Sequence, residues 1–435
     1  MRSAPTIVAG RNSSQAVSLA SEPTGITRGF TVYGMDPRQP TALAHEWNFT
    51  LESEIMNRSV LRLGYVGTAG RNNELWEAQN ISVNPYLWML RTGTEPPTGE
   101  YGNVARRSLD RTTFGEMRTY RRGAYSNYHG LQAQFERRYS SGLAYQVFYV
   151  FSRSLSTGFA PSSGGYADDN EILLEPWAFA PGAVPEDRDA RLRFLTYRTD
   201  EEIAPHRVRW NFLYDLPMGR GKRLFGNAGR ALNLIAGGWQ ASGMGQWSAR
   251  LNALPTGNWG PTRDIKVYGL NNKIQDCRSG VCYDGYLFYN GYIPANRINS
   301  YDPRTGSPNG VMGVPKDYYP AHQPVNPIPA TGGVGDHNRV PVTLRDGRVV
   351  ETNLDTNLHP WRTAYLRVPG QFTLDASLFK AFRIAERTSI RLNLDAFNVL
   401  NNPSLVRPDM STGILTLRDS GVGARQLQAT LRLIW

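Results

Sequence analysis

The stretch ARQLQATLRLIW (424–435) holds a period of two from end to end. Leu427, Ala429, Leu431, Leu433 and Trp435 fall on one face of an extended chain, and Gln426, Gln428, Thr430 and Arg432 on the other. Successive side chains of a strand point to opposite faces, whereas a helix groups residues three and four apart, so this stretch is a β-strand with one apolar and one polar face. The pattern recurs upstream. Over 388–398, Ile390, Leu392, Leu394 and Ala396 oppose Arg391, Asn393 and Asp395, and over 371–382, Phe372, Leu374, Ala376 and Leu378 oppose Thr373, Asp375 and Ser377. Val208, Trp210, Phe212 and Tyr214 oppose Arg207, Arg209, Asn211 and Asp215; Trp239, Ala241, Gly243, Gly245 and Trp247 oppose Gln240, Ser242, Gln246 and Ser248. Shorter alternations run over 46–52, 61–65, 131–136 and 145–152, the last blurred by Phe148 and Val150 on its polar face. Nine strands are legible.

Composition agrees with an all-β chain. The 435 residues include 43 Gly and 28 Pro, too many for a helical bundle and suited to strands separated by turns. With 48 Lys and Arg against 37 Asp and Glu, the net charge is +11, yet only 20% of residues are charged, which excludes a highly charged disordered polymer. The arginines are spread through loops and turns without a stripe or a reading module, so no nucleic-acid partner is expected. No Ser/Gly linker or internal repeat divides the chain.

Mean hydropathy is −0.44 and no apolar run reaches the length of a membrane helix. A transmembrane barrel is untouched by that test, because its strands alternate and need only about 9–11 residues. An 11-residue strand tilted near 45° rises roughly 26 Å, close to the apolar band of an outer-membrane barrel. Trp47, Tyr65, Tyr149, Phe151, Trp210, Tyr214, Trp239, Trp247, Phe372 and Trp435 cluster near strand ends, where two interfacial belts would lie. The competing reading is a soluble sandwich with the apolar face as its core. Connection lengths favour the barrel: short links near 57, 141 and 384–387 and a medium one at 217–237 alternate with long ones at 68–126, 155–205 and 251–370 and a medium one at 399–423. Tight periplasmic turns and long outside loops have this asymmetry, and a soluble domain rarely tolerates a loop of about 100 residues. The fold expected is an antiparallel transmembrane β-barrel, partial at about nine membrane strands, with long extracellular loops.

Read together, YSNYHGLQAQFERRYSSGLAYQVFYVFSRSLS (125–156), HRVRWNFLYDLPMGRGKRLFG (206–226), GGWQASGMGQWSA (237–249), FTLDASLFKAFRIAERTSIRLNLDAFNVLNNP (372–403) and the strand ending at Trp435 resemble the barrel domain of TonB-dependent outer-membrane transporters of the Oar-like type. The resemblance covers most of 44–435, and 1–43 is expected to be an extracellular loop segment before the first visible strand. It implies a Gram-negative outer-membrane location and a parent of about 22 strands with a signal peptide, a TonB-contacting motif and a plug. None of those N-terminal parts is recognisable: MRSAPTIVAGRNSSQ has no apolar core of signal-peptide length. The chain is therefore expected to be the C-terminal portion of a larger receptor for an unknown bulky ligand, in contact with the TonB system only through the missing part. Leu431, Leu433 and Trp435 resemble the assembly signal that such barrels present to the barrel-insertion machinery. Outer-membrane lipid and lipopolysaccharide are the expected surroundings, the latter meeting basic residues of the outside loops. A surface or adhesion barrel without active transport and a soluble secreted all-β binding protein are the alternatives.

Catalytic signatures are absent: there is no G-x-S-x-G, G-x-x-x-x-G-K-[ST] or H-E-x-x-H. MGRGKRLFG lacks phosphate-loop spacing and reads as a turn. No enzyme, cofactor or metal site is expected, since the six histidines are scattered. Cys277 and Cys282, in DCRSGVC, are either a small loop disulfide or two free thiols, and their close spacing in a turn-rich loop favours the disulfide. Glu52, Glu54, Glu136, Asp215, Asp375 and Asp395 share the polar faces with Arg62, Arg209, Arg391 and Arg432, where cross-strand salt bridges outweigh a ligand role. The aromatic pieces YLFYNGYIPANR (286–297) and DYYPAH (317–322) are either a ligand surface or packing between loops.

Overall fold

The structure, a computed structural model, describes residues 29–99, 102–157, 171–200, 202–254, 265–291, 301–302, 307–321, 339–353, 364–402, 404–409, 411–417 and 423–435. Nine long strands form one antiparallel sheet in sequence order: β1 (Leu43–Met56), β2 (Ser59–Gln79), β3 (Phe114–Ser140), β4 (Leu143–Ser156), β5 (His206–Asp215), β6 (Gln240–Leu254), β7 (Ala364–Arg383), β8 (Ser389–Phe397) and β9 (Gln426–Ile434). These are the nine alternating stretches of the sequence. Among the described residues β1 and β9 are the two edges of the sheet and do not pair with each other, so the sheet is open.

Register carries the alternation across the whole sheet. Leu51, Leu63, Ala133, Tyr149, Val208, Trp247 and Phe372 are successive cross-strand partners in one row. The adjacent row is Glu52, Arg62, Gln134, Phe148, Arg209, Gln246 and Thr373, on the opposite face. A slip of one residue anywhere would exchange the faces, so the apolar pattern itself fixes the register. On the apolar face, indole rings lie over glycines of the neighbouring strand. A Cβ on Gly67 would meet Trp47 at 2.2 Å and one on Gly245 would meet Trp210 at 2.3 Å, which explains why glycine interrupts the pattern there.

The turns sort by end. Ser141 (φ 54°) and Gly142 (φ 82°) make a two-residue turn with both φ positive, the twist that suits a tight hairpin. Arg58 (φ 63°) closes the turn from β1 to β2. At the same end, the link from β5 to β6 contains a short helix, α3 (Arg230–Ala236). Lys380, on the apolar face of β7, donates its ammonium to the last carbonyls of α3, those of Leu234 and Ile235. The helix thus buries a cation that lipid would reject, and the cation caps the negative end of the helix.

At the other end the strands continue into a folded layer. The expected link over 68–126 is shorter than its sequence suggests, because β2 runs on to Gln79 and β3 starts at Phe114. Register shifts between Gly70 and Glu74, with Asn72 at φ 56°, break the alternation that would have revealed the extension. Two short parallel strands, Phe30–Met35 against β3 and Glu171–Leu173 against β2, widen it. Phe30–Met35 falls within the segment expected to be loop; residues 1–28 lie outside the described residues. The helices α1 (Pro85–Thr92) and α2 (Arg188–Thr196) start on side-chain caps, Asn84 accepting from Leu87 N and Asp187 from Ala190 N.

The long link between β6 and β7 also holds structure. Lys273–Asp276, Tyr283–Leu287 and Val311–Met312 form a small sheet completed by Ile414–Thr416 from the link between β8 and β9. Its core is Ile274, Leu287, Tyr318 and Ile414. Cys277 and Cys282 are disulfide-bonded across the turn of its central hairpin, with Cα atoms 4.0 Å apart. Closing so short a loop should contribute roughly 2 kcal/mol by restricting the unfolded segment. Replacing both cysteines by serine should therefore speed amide exchange in Lys273–Asp276 and Tyr283–Leu287 by tens of fold while β6 and β7 stay protected; unchanged exchange would show the bridge to be dispensable.

Candidate functional site

The two faces of the sheet present opposite chemistry. Fully buried apolar side chains belong to the loop layer, in clusters such as Leu75, Ala124, Leu174 and Leu192 or Val83, Leu87 and Trp88. The apolar face of the long strands is uncovered: Phe49 is 67% exposed, Leu431 68% and Leu427 74%, and Leu63, Leu131, Phe151, Trp247 and Leu394 are exposed on inner strands. A continuous apolar face of this extent cannot rest against water. Hydrocarbon is its physical complement, which removes the soluble sandwich, where this face would have been core.

Aromatic groups crown that face on the loop side. Tyr65 Oη and His129 Nδ1 share a hydrogen bond of 2.7 Å, and Tyr149 Oη and His206 Nδ1 one of 2.9 Å, each with the rings stacked. Trp47 borders the first pair and Phe151 the second. The repeated arrangement is an interfacial belt with polar tips satisfied. Nothing in a single strand announces it, because tyrosine and histidine meet only through the register of neighbouring strands.

The opposite face is polar and grooved. Arg62 is held by Glu52 at 2.6 and 2.9 Å and reaches Gln134 at 3.3 Å. Glu136 accepts from Gln134 and Gln146, and Gln146 from Asn211, each at 3.3 Å. Asp215 accepts from Gln240 at 2.7 Å and from Tyr139. Asp395 accepts from Ser377, Asp375 from the backbone N of Asn398 at 2.8 Å, and Glu54 from the backbone N of Arg58 at 3.0 Å. Arg391 donates to Asn393 at 2.9 Å and stands opposite Arg432. A groove of about 650 Å³ crosses β3 to β7, lined by Gln132, Phe148, Arg207, Arg209, Gln246 and Asp375 among others. A smaller one of about 380 Å³ continues toward Ser377 and Asp395. Strand-to-strand polar ladders over a wet groove are what the lumen side of a barrel wall requires.

The family comparison agrees with this division of faces. A model described as an outer membrane beta barrel domain matches residues 3–428. The chain belongs to that family. As a member of the outer membrane beta barrel domain family it resides in the outer membrane, with lipid and lipopolysaccharide around its apolar face. No curated protein matches the sequence. Among solved structures it is similar to the outer membrane transporter YddB from Escherichia coli, at 10% identity and a TM-score of 0.35 over 94% of this chain and 34% of that one. It is also similar to the ferric-catecholate import receptor Fiu from E. coli K12 in its closed form, at 9% identity and a TM-score of 0.23 over 84% and 33%. The chain spans about a third of the length of each.

Other residues singled out in the sequence find places in this barrel domain. Leu431, Leu433 and Trp435 lie exposed on the apolar side of edge strand β9. Of the aromatic loop pieces, Leu287, Phe288, Tyr289 and Tyr318 are buried, and Tyr318 Oη donates to Asn290 O at 3.2 Å, so these residues pack loops together. Burial pushes the Tyr318 phenol well above its ordinary range. Residues 292–297 and His322 lie outside the described residues. Next to the disulfide, Arg278 binds Asp276 at 2.7 and 2.8 Å and holds its carboxyl below the usual range. Glu202 pairs with Arg407 at 3.0 Å; Glu201 lies outside the described residues. Among the described residues no three His, Cys, Asp or Glu side chains converge as metal ligands would.

Proposed function

We propose that the chain is the C-terminal part of the barrel of a TonB-dependent outer-membrane transporter of the Oar-like type, which moves a bulky ligand and catalyses no reaction. The observation that carries this reading is the open sheet. Among the described residues nine long strands leave β1 and β9 as edges, and a membrane gives the N–H and C=O groups unpaired there no partner. Single-chain bacterial barrels normally close with an even number of strands, and a parent of about 22 would supply the remainder together with room for a plug. The grooved polar face supports a wall that lines a wide lumen rather than a filled small barrel. Energised transport then depends on a plug and a TonB-contacting segment elsewhere in the protein. The test is the genomic sequence upstream of the Met1 codon, which should encode further strands, a plug and a signal peptide in frame or nearly so. An unrelated gene immediately upstream would overturn the proposal.

A further inference from the structure

Several apolar side chains interrupt the polar face, among them Met244, Phe379 and Phe397, and Arg391 lies over the Phe379 ring. Phe148 and Val150 stand on it as apolar side chains, and their cross-strand partners on β5 are Arg209 and Arg207. On this face Arg62 meets Glu52 and Arg391 meets Asn393, whereas Arg383 and Arg432, among the described residues, have no such partner and line neither groove. Among the described residues, Arg207 and Arg209 have neither a hydrogen-bond nor an ion-pair partner. They lie two residues apart on one face, about 7 Å along the strand, so each raises the potential felt by the other. All four side chains line the groove of about 650 Å³, with Gln132 and Gln246 as amide neighbours. The groove's acid, Asp375, stands two strands away on β7 and accepts from the Asn398 backbone.

Two unneutralised guanidinium groups beside an apolar wall form a composite surface. The cations select negative charge, their planar forks suit a carboxylate or phosphate, and Phe148 and Val150 offer apolar area beside it. We propose that this groove binds an amphipathic anion: a molecule with a carboxylate, sulfonate or phosphate head and an aliphatic or aromatic body. Arg207 follows directly on the long outside link that enters β5, so the site lies at the mouth of the wall, where a solute arriving from outside meets it first. The inference rests on the transporter reading for that direction of approach. Binding itself needs no TonB coupling, so a failure to bind and a failure to transport are separate results.

The test is equilibrium dialysis of the protein extracted from outer membranes and held in the non-ionic detergent dodecyl maltoside, with 4-phenylbutyrate and its neutral amide as probes. The carboxylate should bind at least tenfold more tightly than the amide. An Arg207→Gln/Arg209→Gln double variant should lose that preference, Arg209→Lys should keep most of it, and Phe148→Ser should weaken both probes alike. Each variant is first shown to keep the folded, heat-modifiable mobility of the wild type on gels. Equal affinity for the two probes, a preference that survives the double variant, or no binding to folded wild type because the groove is already filled by the protein's own acid would each overturn the proposal.

Discussion

Replacing Leu394 by arginine should destabilise the barrel wall by about 2–4 kcal/mol, the cost of placing a guanidinium near the bilayer midplane. Leu394 lies in the middle of β8, between Leu378 of β7 and Ala429 of β9, and is 41% exposed on the apolar face. Gln428 of β9 is exposed on the opposite, polar face across from Asp395, so Gln428→Arg is the control that adds a guanidinium to the other side of the wall. Guanidinium titration of the protein in phospholipid vesicles should show a clear loss of midpoint for Leu394→Arg and a change within about 0.5 kcal/mol for Gln428→Arg, as for an ordinary exposed substitution. If both variants were equally tolerated, the apolar face would be in contact with water and the membrane assignment of this sheet would fall.

That face was legible in the sequence because the membrane strands are long, regular and two-sided, and alternation survives without knowledge of any partner. Legibility failed where geometry interrupts the period. The bulged stretch from Gly70 to Glu74 hid the extension of β2, and at Pro369–Gly370 a register shift between Val368 and Gln371 did the same for the start of β7. The two- to five-residue strands of the outside layer carry too few side chains for a period to show. Functional features depended on register rather than on type. Arg207 and Arg209 read as ordinary members of a polar face, and Phe148 and Val150 as noise in another strand; only the pairing of β4 with β5 brings the two anomalies together. The Tyr–His pairs of the belt stayed hidden for the same reason.

The second large effect is expected in the outside layer, at Glu77. This carboxylate sits on the extension of β2, only 4% exposed, and pairs with Arg188 of α2 and with Arg121 of β3 at 3.8 Å. Around it, Leu75, Ala124, Leu174 and Leu192 form the core that joins α2 to the extended hairpin, and buried Arg191 donates to the carbonyls of Leu174, Pro185 and Glu186. Glu77→Ala would leave Arg121, itself largely buried, without the carboxylate that pairs with it, and with Asp189 and Asp36 as its nearby charges. Removing one partner of a buried pair typically costs about 3–5 kcal/mol, because the remaining charge stays desolvated. The loss should be local, since α2 meets the wall through this cluster and can open without unpairing β6 to β9. Hydrogen exchange over Arg188–Thr196 should accelerate by several hundred-fold, trypsin should gain access at Arg188 and Arg193, and β8 and β9 should keep their protection. Glu77→Gln, which retains the shape and part of the hydrogen bonding but not the charge, should fall between wild type and Glu77→Ala. Unchanged protection of α2 in Glu77→Ala would mean that apolar packing alone holds the outside layer to the wall.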